Sequence, residues 1–134
     1  MDLITMFKDR QEKSKVEYNT VLKSNNGRNP LIDAFQEKLD TCLYIRQAIQ
    51  DCIDCVNDSW VYSENYWIDK EPKPYEVAES PGVVIVDQIV SDLKMGVEYM
   101  YCSPNIPTWL ILLYKTELGV TQFFLNYIIQ LKEN

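Results

Sequence analysis

One run of residues in the first half of the chain constrains the fold more than any other feature. Its members recur at alternating steps of four and three residues, and they are Phe35, Leu39, Cys42, Arg46, Ile49, Ile53, Val56 and Trp60. This spacing places all eight on one stripe of an α-helix. Because an apolar stripe must be buried against another surface, the run predicts a helical protein. Arg46 alone interrupts the stripe, and its charge must either pair with a carboxylate of another helix or extend to solvent.

The first half of the chain is predicted to form two helices. Residues 3–23 indicate a largely polar helix or arm, which ends at the loop of residues 24–27, where Asn and Gly tolerate left-handed backbone. The striped helix is predicted over residues 30–60. Its start is indicated by Asn29, which is suited to cap a helix, and by Pro30, which is suited to the first helical position.

The second half is predicted to form two more helices, over residues 81–101 and 107–131. The spacing of four and three returns in the first of them, in the stripe Val86, Val90, Leu93, Val97 and Met100. The last helix has a wider apolar arc, which predicts a central helix contacted from more than one side. Its main stripe consists of Trp109, Leu113, Val120, Phe124, Tyr127 and Leu131.

These elements predict an all-α fold, namely a single-domain bundle of about four helices over residues 1–134, with residues 1–24 as the N-terminal helix or arm. A long ordered loop over residues 61–80 is expected between the halves, because its two prolines disfavour regular helix. The β-branched residues 83–86 leave an α+β fold with a short strand as the alternative. A chain of 134 residues can bury a core without disulfides or metals.

Charge is unevenly distributed along the chain. The net charge is −7, and residues 51–98 contain eleven acidic and three basic residues, whereas residues 1–30 contain four acidic and six basic residues. An acidic body repels phosphate backbones, which argues against direct nucleic-acid binding and favours a basic protein partner or a solvated surface. No apolar run is long enough to span a bilayer and no secretory signal is evident, so a cytoplasmic protein without a membrane partner is expected.

The sequence predicts no catalytic residue, no metal site and no cofactor. Histidine, the commonest general base and metal ligand, is missing from the chain. Cys52 and Cys55 have Cys-x-x-Cys spacing, but their context favours packing as small buried hydrophobes over a zinc or redox site. Asp51, Asp54 and Asp58 share one helix face, and this acidic strip suits solvent or a basic partner better than a divalent ion.

The predicted partner-binding site combines the acidic strip with the aromatic and acidic residues that follow it. Its members are Asp51, Asp54, Asp58, Trp60, Tyr62, Glu64, Tyr66, Trp67, Asp69 and Tyr75. Aromatic side chains supply binding energy at interfaces, and the acids among them select basic partners. The alternative for the tryptophans is that they close the open end of the bundle.

These features predict a non-enzymatic module that caps or inhibits a basic partner protein. Immunity proteins, antitoxins and virus-encoded inhibitors have this physical profile, which fold and charge alone do not separate. The first alternative is a structural subunit of a larger viral or cellular assembly, and a homo-oligomer is compatible with both functions. A metal-dependent or thiol-dependent enzyme is the third and least favoured interpretation.

Overall fold

The computed structural model of this protein describes residues 2–54 and 82–133, and it is all-α. Within these ranges the chain forms helices and no strand. The elements are α1 (Leu3–Tyr18), α2 (Pro30–Asp54), α3 (Ile85–Met95), a 3-10 helix (Glu98–Cys102) and α4 (Thr108–Glu133). The predicted helical bundle is thereby confirmed. The chain divides into two compact units, Met1–Pro30 and Leu31–Asn134, and the single-domain organisation stays a prediction.

The first unit contains α1 and the loop that follows it. The side chain of Asp2 caps the helix, because its Oδ1 accepts a hydrogen bond from the backbone N–H of Thr5 at 2.7 Å. This bond lowers the pKa of Asp2. Asn19 adopts a left-handed conformation with φ of 56°, so α1 ends at Tyr18 rather than at the predicted residue 23. No side chain of α1 is buried.

In the second unit, α2 and α4 run antiparallel to each other. The rings of Phe35 and Phe124 stack with their centroids 5.9 Å apart. One to two turns further along α2, the sulfur of Cys42 lies 3.3 Å from the hydroxyl oxygen of Thr121. Contacts that advance along α2 therefore move back along α4. This pairing buries one side of each helix against the other.

The core of the second unit lies where α2, the 3-10 helix and the first half of α4 meet. It consists of Ile49, Cys52, Val97, Met100, Ile106, Leu110, Ile111 and Tyr114. Gly96 ends α3 with a φ of 87°, a value that glycine adopts without strain, and its N–H donates to the carbonyl oxygen of Asp92 at 2.8 Å. The chain then turns into the 3-10 helix and places Met100 in the core.

The predicted stripe of α2 is buried only in part. Cys42, Arg46 and Ile49 are buried as expected, but Leu39 is 44% exposed and Ile53 is 38% exposed. The buried face is thus rotated from the predicted stripe toward Cys52, which joins the core. The last two members of the stripe, at positions 56 and 60, lie outside the described residues.

The predicted helix over residues 81–101 and its strand alternative both need correction. Residues 82–84 have no regular structure and α3 begins at Ile85, so the strand predicted at 83–86 is wrong. The helix ends at Met95 and is followed by the separate 3-10 helix. The three members of the predicted stripe that lie on α3, Val86, Val90 and Leu93, are exposed, whereas the last two, Val97 and Met100, are buried in the core. Residues 61–80 lie outside the described residues.

The predicted stripe of α4 also faces outward for most of its length. In the part of the chain that the structure describes, α4 is covered on one side only, by contacts made through Leu110, Ile111, Tyr114 and Thr121. Among the described residues, the wide apolar arc is therefore covered only in part, and contact from more than one side of the arc stays a prediction. We call the exposed side the outer stripe of α4, and it consists of Trp109, Leu113, Thr116, Val120, Phe123 and Tyr127.

Candidate functional site

The structure describes two of the ten residues predicted to bind a partner. Asp51 and Asp54 lie near the C-terminal end of α2, and both are partly exposed. The Oδ1 atom of Asp54 accepts a hydrogen bond from the side-chain amide of Gln50 at 3.1 Å. The other eight lie outside the described residues, namely Asp58, Trp60, Tyr62, Glu64, Tyr66, Trp67, Asp69 and Tyr75.

The acidic strip that begins at Asp51 continues toward the start of α2. Residues at alternating steps of three and four share one side of a helix, and this side contains Glu37, Asp40, Tyr44, Gln47 and Asp51. We call these five residues the acidic face of α2. They span roughly 20 Å along the helix, at 1.5 Å per residue. The first four are exposed to solvent, and Asp51 is partly exposed.

Tyr44 is the only aromatic residue on the acidic face of α2. Its side chain is 69% exposed, which places a large ring in solvent between Asp40 on one turn and Gln47 on the next. Neither Glu37 nor Asp40 forms an ion pair with another described residue. An exposed ring one turn away from an exposed carboxylate combines an apolar anchor with a charge that attracts a basic surface.

Both basic residues of α2 point away from the acidic face. Lys38 binds Glu117 of α4 with 3.0 Å between Nζ and Oε2. Arg46 binds Asp92 of α3 with 2.8 Å between Nε and Oδ2. Because both positive charges are neutralised on the inner side of the helix, they do not offset the carboxylates on its outer side. The acidic face of α2 therefore presents a negative electrostatic potential to solvent.

The buried partner of Arg46 is the centre of a polar cluster. The carboxylate of Asp92 accepts three hydrogen bonds, from Arg46, from the hydroxyl of Tyr114 at 2.7 Å and from the hydroxyl of Tyr99 at 2.5 Å. Arg46 also donates through Nη1 to the side chain of Gln50 at 2.9 Å. We call these five residues the Arg46–Asp92 cluster. Of the two alternatives for Arg46, the structure shows the pairing with a carboxylate of another helix.

The Arg46–Asp92 cluster has the properties of a structural element. Burial raises the pKa of Tyr114, and the hydrogen bond to Asp92 raises it further. The same two causes raise the pKa of Tyr99. Both hydroxyls therefore remain protonated donors at neutral pH, which suits them poorly to general acid or base catalysis there. Among the described residues, every buried side-chain nitrogen and oxygen has a hydrogen-bond partner.

The described cysteines do not form a metal site. Cys42 and Cys52 are buried on different sides of the inner surface of α2, and Cys102 is exposed. Within residues 2–54 and 82–133, no three His, Cys, Asp or Glu side chains lie close enough together to hold a metal ion. Cys52 packs in the core as a small buried side chain, as predicted, and Cys55 lies outside the described residues.

Comparison with known proteins adds no functional assignment. No protein-family model matches the chain, and comparison with characterised proteins and with solved structures found no match. None of the helices that the structure describes is both long enough and apolar enough to cross a bilayer.

Sequence reasoning overlooked the first three residues of the acidic face of α2. Glu37, Asp40 and Tyr44 continue the steps of three and four that connect Asp51 to Asp54, so the signal was present in the sequence. It was obscured because Lys38 and Leu39 lie between them and make the local composition mixed. The ion pair between Lys38 and Glu117 of α4 shows that the positive charge of Lys38 lies on a different side of α2 from the carboxylates of Glu37 and Asp40.

Proposed function

We propose that this protein is a non-enzymatic, cytoplasmic binding module that caps a basic partner protein through the acidic face of α2. One observation carries the proposal. The exposed side chain of Tyr44 shares one helix face with the exposed carboxylates of Glu37 and Asp40, while both basic residues of the same helix are bound by carboxylates of other helices. The net charge of −7 adds a long-range attraction for basic surfaces.

The two residue types on this face have different roles in the proposed complex. The carboxylates of Glu37 and Asp40 steer a basic surface during encounter, which raises the association rate. The ring of Tyr44 is buried on contact and slows dissociation, since truncation of a central aromatic anchor acts mainly on the off-rate. The sequence places further aromatic residues, among them Trp60 and Trp67, shortly after α2, and they remain part of the proposed surface.

The test compares the chain with two charge-reversal variants. Glu37→Lys with Asp40→Lys alters the acidic face of α2, and Asp9→Lys with Glu12→Lys makes the same change of charge on α1. Each protein is immobilised and incubated with an extract of the cells that produce it, at low and at high salt. Captured proteins are identified by mass spectrometry. Circular dichroism confirms that both variants keep their helices.

The proposal predicts one dominant basic protein, captured by the wild-type chain and by the α1 variant but not by the α2 variant. Binding measured with the purified partner should weaken with salt, since exposed charges are screened over about 8–10 Å at physiological ionic strength. The on-rate of the α2 variant should fall about tenfold or more. Equal capture by all three proteins contradicts the proposal, and loss in the α1 variant alone assigns the binding site to α1.

A second candidate function is a structural subunit of a larger assembly. The observation that favours it is the outer stripe of α4, an apolar surface that the described residues leave exposed. The same capture experiment separates the two functions. Several proteins recovered in fixed stoichiometry, with no dependence on salt or on Glu37 and Asp40, support the assembly subunit. A single salt-sensitive partner supports the capping module.

A further inference from the structure

The outer stripe of α4 has the regularity of a helix-pairing surface. Its members follow each other at steps of four, three, four, three and four residues, which is the spacing of the seam between two packed helices. Three of them are aromatic and well exposed, with exposed fractions of 48% for Trp109, 74% for Phe123 and 50% for Tyr127. A surface helix of a monomer normally turns such a stripe toward its core.

We propose that two copies of this chain pair through the outer stripe of α4, helix against helix. The pairing is a self-association of the protein and does not depend on the acidic face of α2 or on a basic partner. Its evidence is the area that the stripe offers, its lack of charge, and the way in which neighbouring charges are already bound.

The exposed area suits a dimer better than a solvated surface. With the flanking residues Leu112 and Leu131, the stripe offers roughly 700 Å² of mostly apolar surface per copy, about half of it from the three aromatic side chains, each of which has about 150–250 Å² of surface to bury. A standard interface buries about 800 Å² per partner. Contiguous apolar patches on monomers rarely exceed a few hundred Å². One helix face therefore comes close to what a specific dimer needs.

The absence of charge on the stripe favours a second copy over a basic partner as the occupant. A chain with a net charge of −7 repels its own copies, so two copies can approach closely only across a surface without carboxylates. None of the six residues of the stripe is acidic or basic. A basic partner, by contrast, would find no opposite charge here and would lose the hydration of its own charges on contact.

The charged residues nearest to the stripe are bound within the same chain. Glu117 accepts the ammonium of Lys38 of α2, and Lys115 lies 3.3 Å from the carboxylate of Glu98. Lys115 also lies 5.7 Å from the centre of the Tyr101 ring. These contacts hold both charges to the sides of α4. They leave the outer stripe free to pack against an identical stripe without separating an ion pair.

The middle of the helix permits close approach. Gly119 lies beside the stripe, one turn before Phe123, and no atom lies within 4 Å of the position that a Cβ atom would occupy there. A glycine inside an exposed helix costs about 1 kcal/mol relative to alanine, so a packing reason is expected for it. Thr116 and Val120 are also small, which places the narrowest part of α4 between its aromatic ends.

The test is the oligomeric state of the full chain in the absence of any partner. Sedimentation equilibrium of the wild-type protein should give twice the chain mass of 15.7 kDa, with dissociation on dilution. Phe123→Glu places a charge in the stripe and should weaken the dimer at least tenfold. Leu93→Glu is the matched control, because Leu93 is similarly exposed at 66% but lies on α3, and it should leave the dimer intact.

Folding is monitored separately, so that loss of the dimer is not confused with loss of structure. Both substituted positions are exposed, and the helical circular dichroism of each variant should match that of the wild-type chain. A wild-type protein that stays monomeric overturns the proposal and means that the stripe is solvated or is covered within its own chain. A dimer that survives Phe123→Glu, or one that Leu93→Glu weakens equally, also overturns it.

Discussion

Among the residues that the structure describes, two of the ion pairs formed by α2 differ far more in their surroundings than in their geometry. Arg46 and Asp92 are 2.8 Å apart, and Lys38 and Glu117 are 3.0 Å apart. The side chains of the first pair are each 1% exposed, whereas those of the second are 36% and 17% exposed. Nearly equal distances thus occur in environments where charge is screened very differently.

The buried pair needs additional partners that the exposed pair does not need. Two charges removed from water are compensated only when their remaining donors and acceptors are also satisfied. Asp92 therefore accepts hydrogen bonds from Tyr99 and Tyr114, and Arg46 donates one to the side chain of Gln50. At the exposed pair, water serves this purpose. Burial, rather than the ion pair itself, determines how much of the surrounding structure is constrained.

The largest effect is expected from Asp92→Ala, which breaks the buried pair. The variant leaves the guanidinium of Arg46 buried without its carboxylate and removes the acceptor of the Tyr114 hydroxyl. Loss of one partner of a buried ion pair lowers the free energy of unfolding by about 3–5 kcal/mol. Urea denaturation followed by circular dichroism measures this change.

The control replaces the three buried members of the cluster by apolar residues and keeps Tyr99, which is 52% exposed, and Gln50. Arg46→Met, Asp92→Leu and Tyr114→Phe together remove the charge, its partner and the hydroxyl that would otherwise lack an acceptor. Apolar replacement of a complete buried pair is often neutral, so this triple variant should be more stable than Asp92→Ala alone. A loss below about 1 kcal/mol in Asp92→Ala would mean that water reaches Arg46 and that the two pairs are alike.

The same cluster explains which parts of the fold were predictable from the sequence. Helix existence followed from spacing and capping, and the start of α2 at Pro30 was placed correctly. The buried faces of α3 and α4 were not predictable in the same way, because an apolar stripe was assumed to mark the inner side. Asp92 turns inward to meet Arg46, and this turns Val86, Val90 and Leu93 outward.

The candidate site was predictable to a similar extent. The steps of three and four that identified Asp51 and Asp54 also reach Asp40 and Glu37, so the acidic face of α2 was contained in the sequence pattern. The exposure of Tyr44 was not, because it depends on which side of α2 packs against α4. That choice is made by long-range contacts such as the one between Cys42 and Thr121, and local spacing does not encode them.

An intermediate effect, dependent on pH, is expected from Tyr114→Phe. The variant removes one hydrogen bond to a buried carboxylate, which lowers the free energy of unfolding by about 1.5–3 kcal/mol near pH 8. Burial and Asp92 raise the pKa of Tyr114 in the folded chain above its ordinary value of 10.0. The folded state thus keeps a proton that the unfolded state releases, so the contribution of the hydroxyl is complete below pH 10.0 and declines above it.

The measurement compares the urea midpoints of the wild-type chain and of Tyr114→Phe at about pH 8 and about pH 11. The difference between the two proteins should shrink at the higher pH. Tyr44→Phe, which removes a hydroxyl from the exposed acidic face of α2, should leave the midpoint near pH 8 unchanged. A difference between wild type and Tyr114→Phe that is constant with pH would indicate that the hydroxyl ionises equally in both states.

The smallest effect is expected at the exposed pair of Lys38 and Glu117. Its size tests whether burial accounts for the difference between the two ion pairs. Lys38→Met and Glu117→Gln, alone and together, form a double-mutant cycle that isolates the interaction of the two side chains. The coupling energy should be about 0.2–1 kcal/mol and should decrease as salt is added, because Lys38 retains contact with water. Glu117 is the less exposed partner, so Glu117→Gln, which keeps its shape, avoids a packing loss that would obscure the electrostatic part. A coupling energy as large as the effect of Asp92→Ala, and independent of salt, would show that solvent does not screen the pair of Lys38 and Glu117. The difference in exposure would then not explain how the two ion pairs differ.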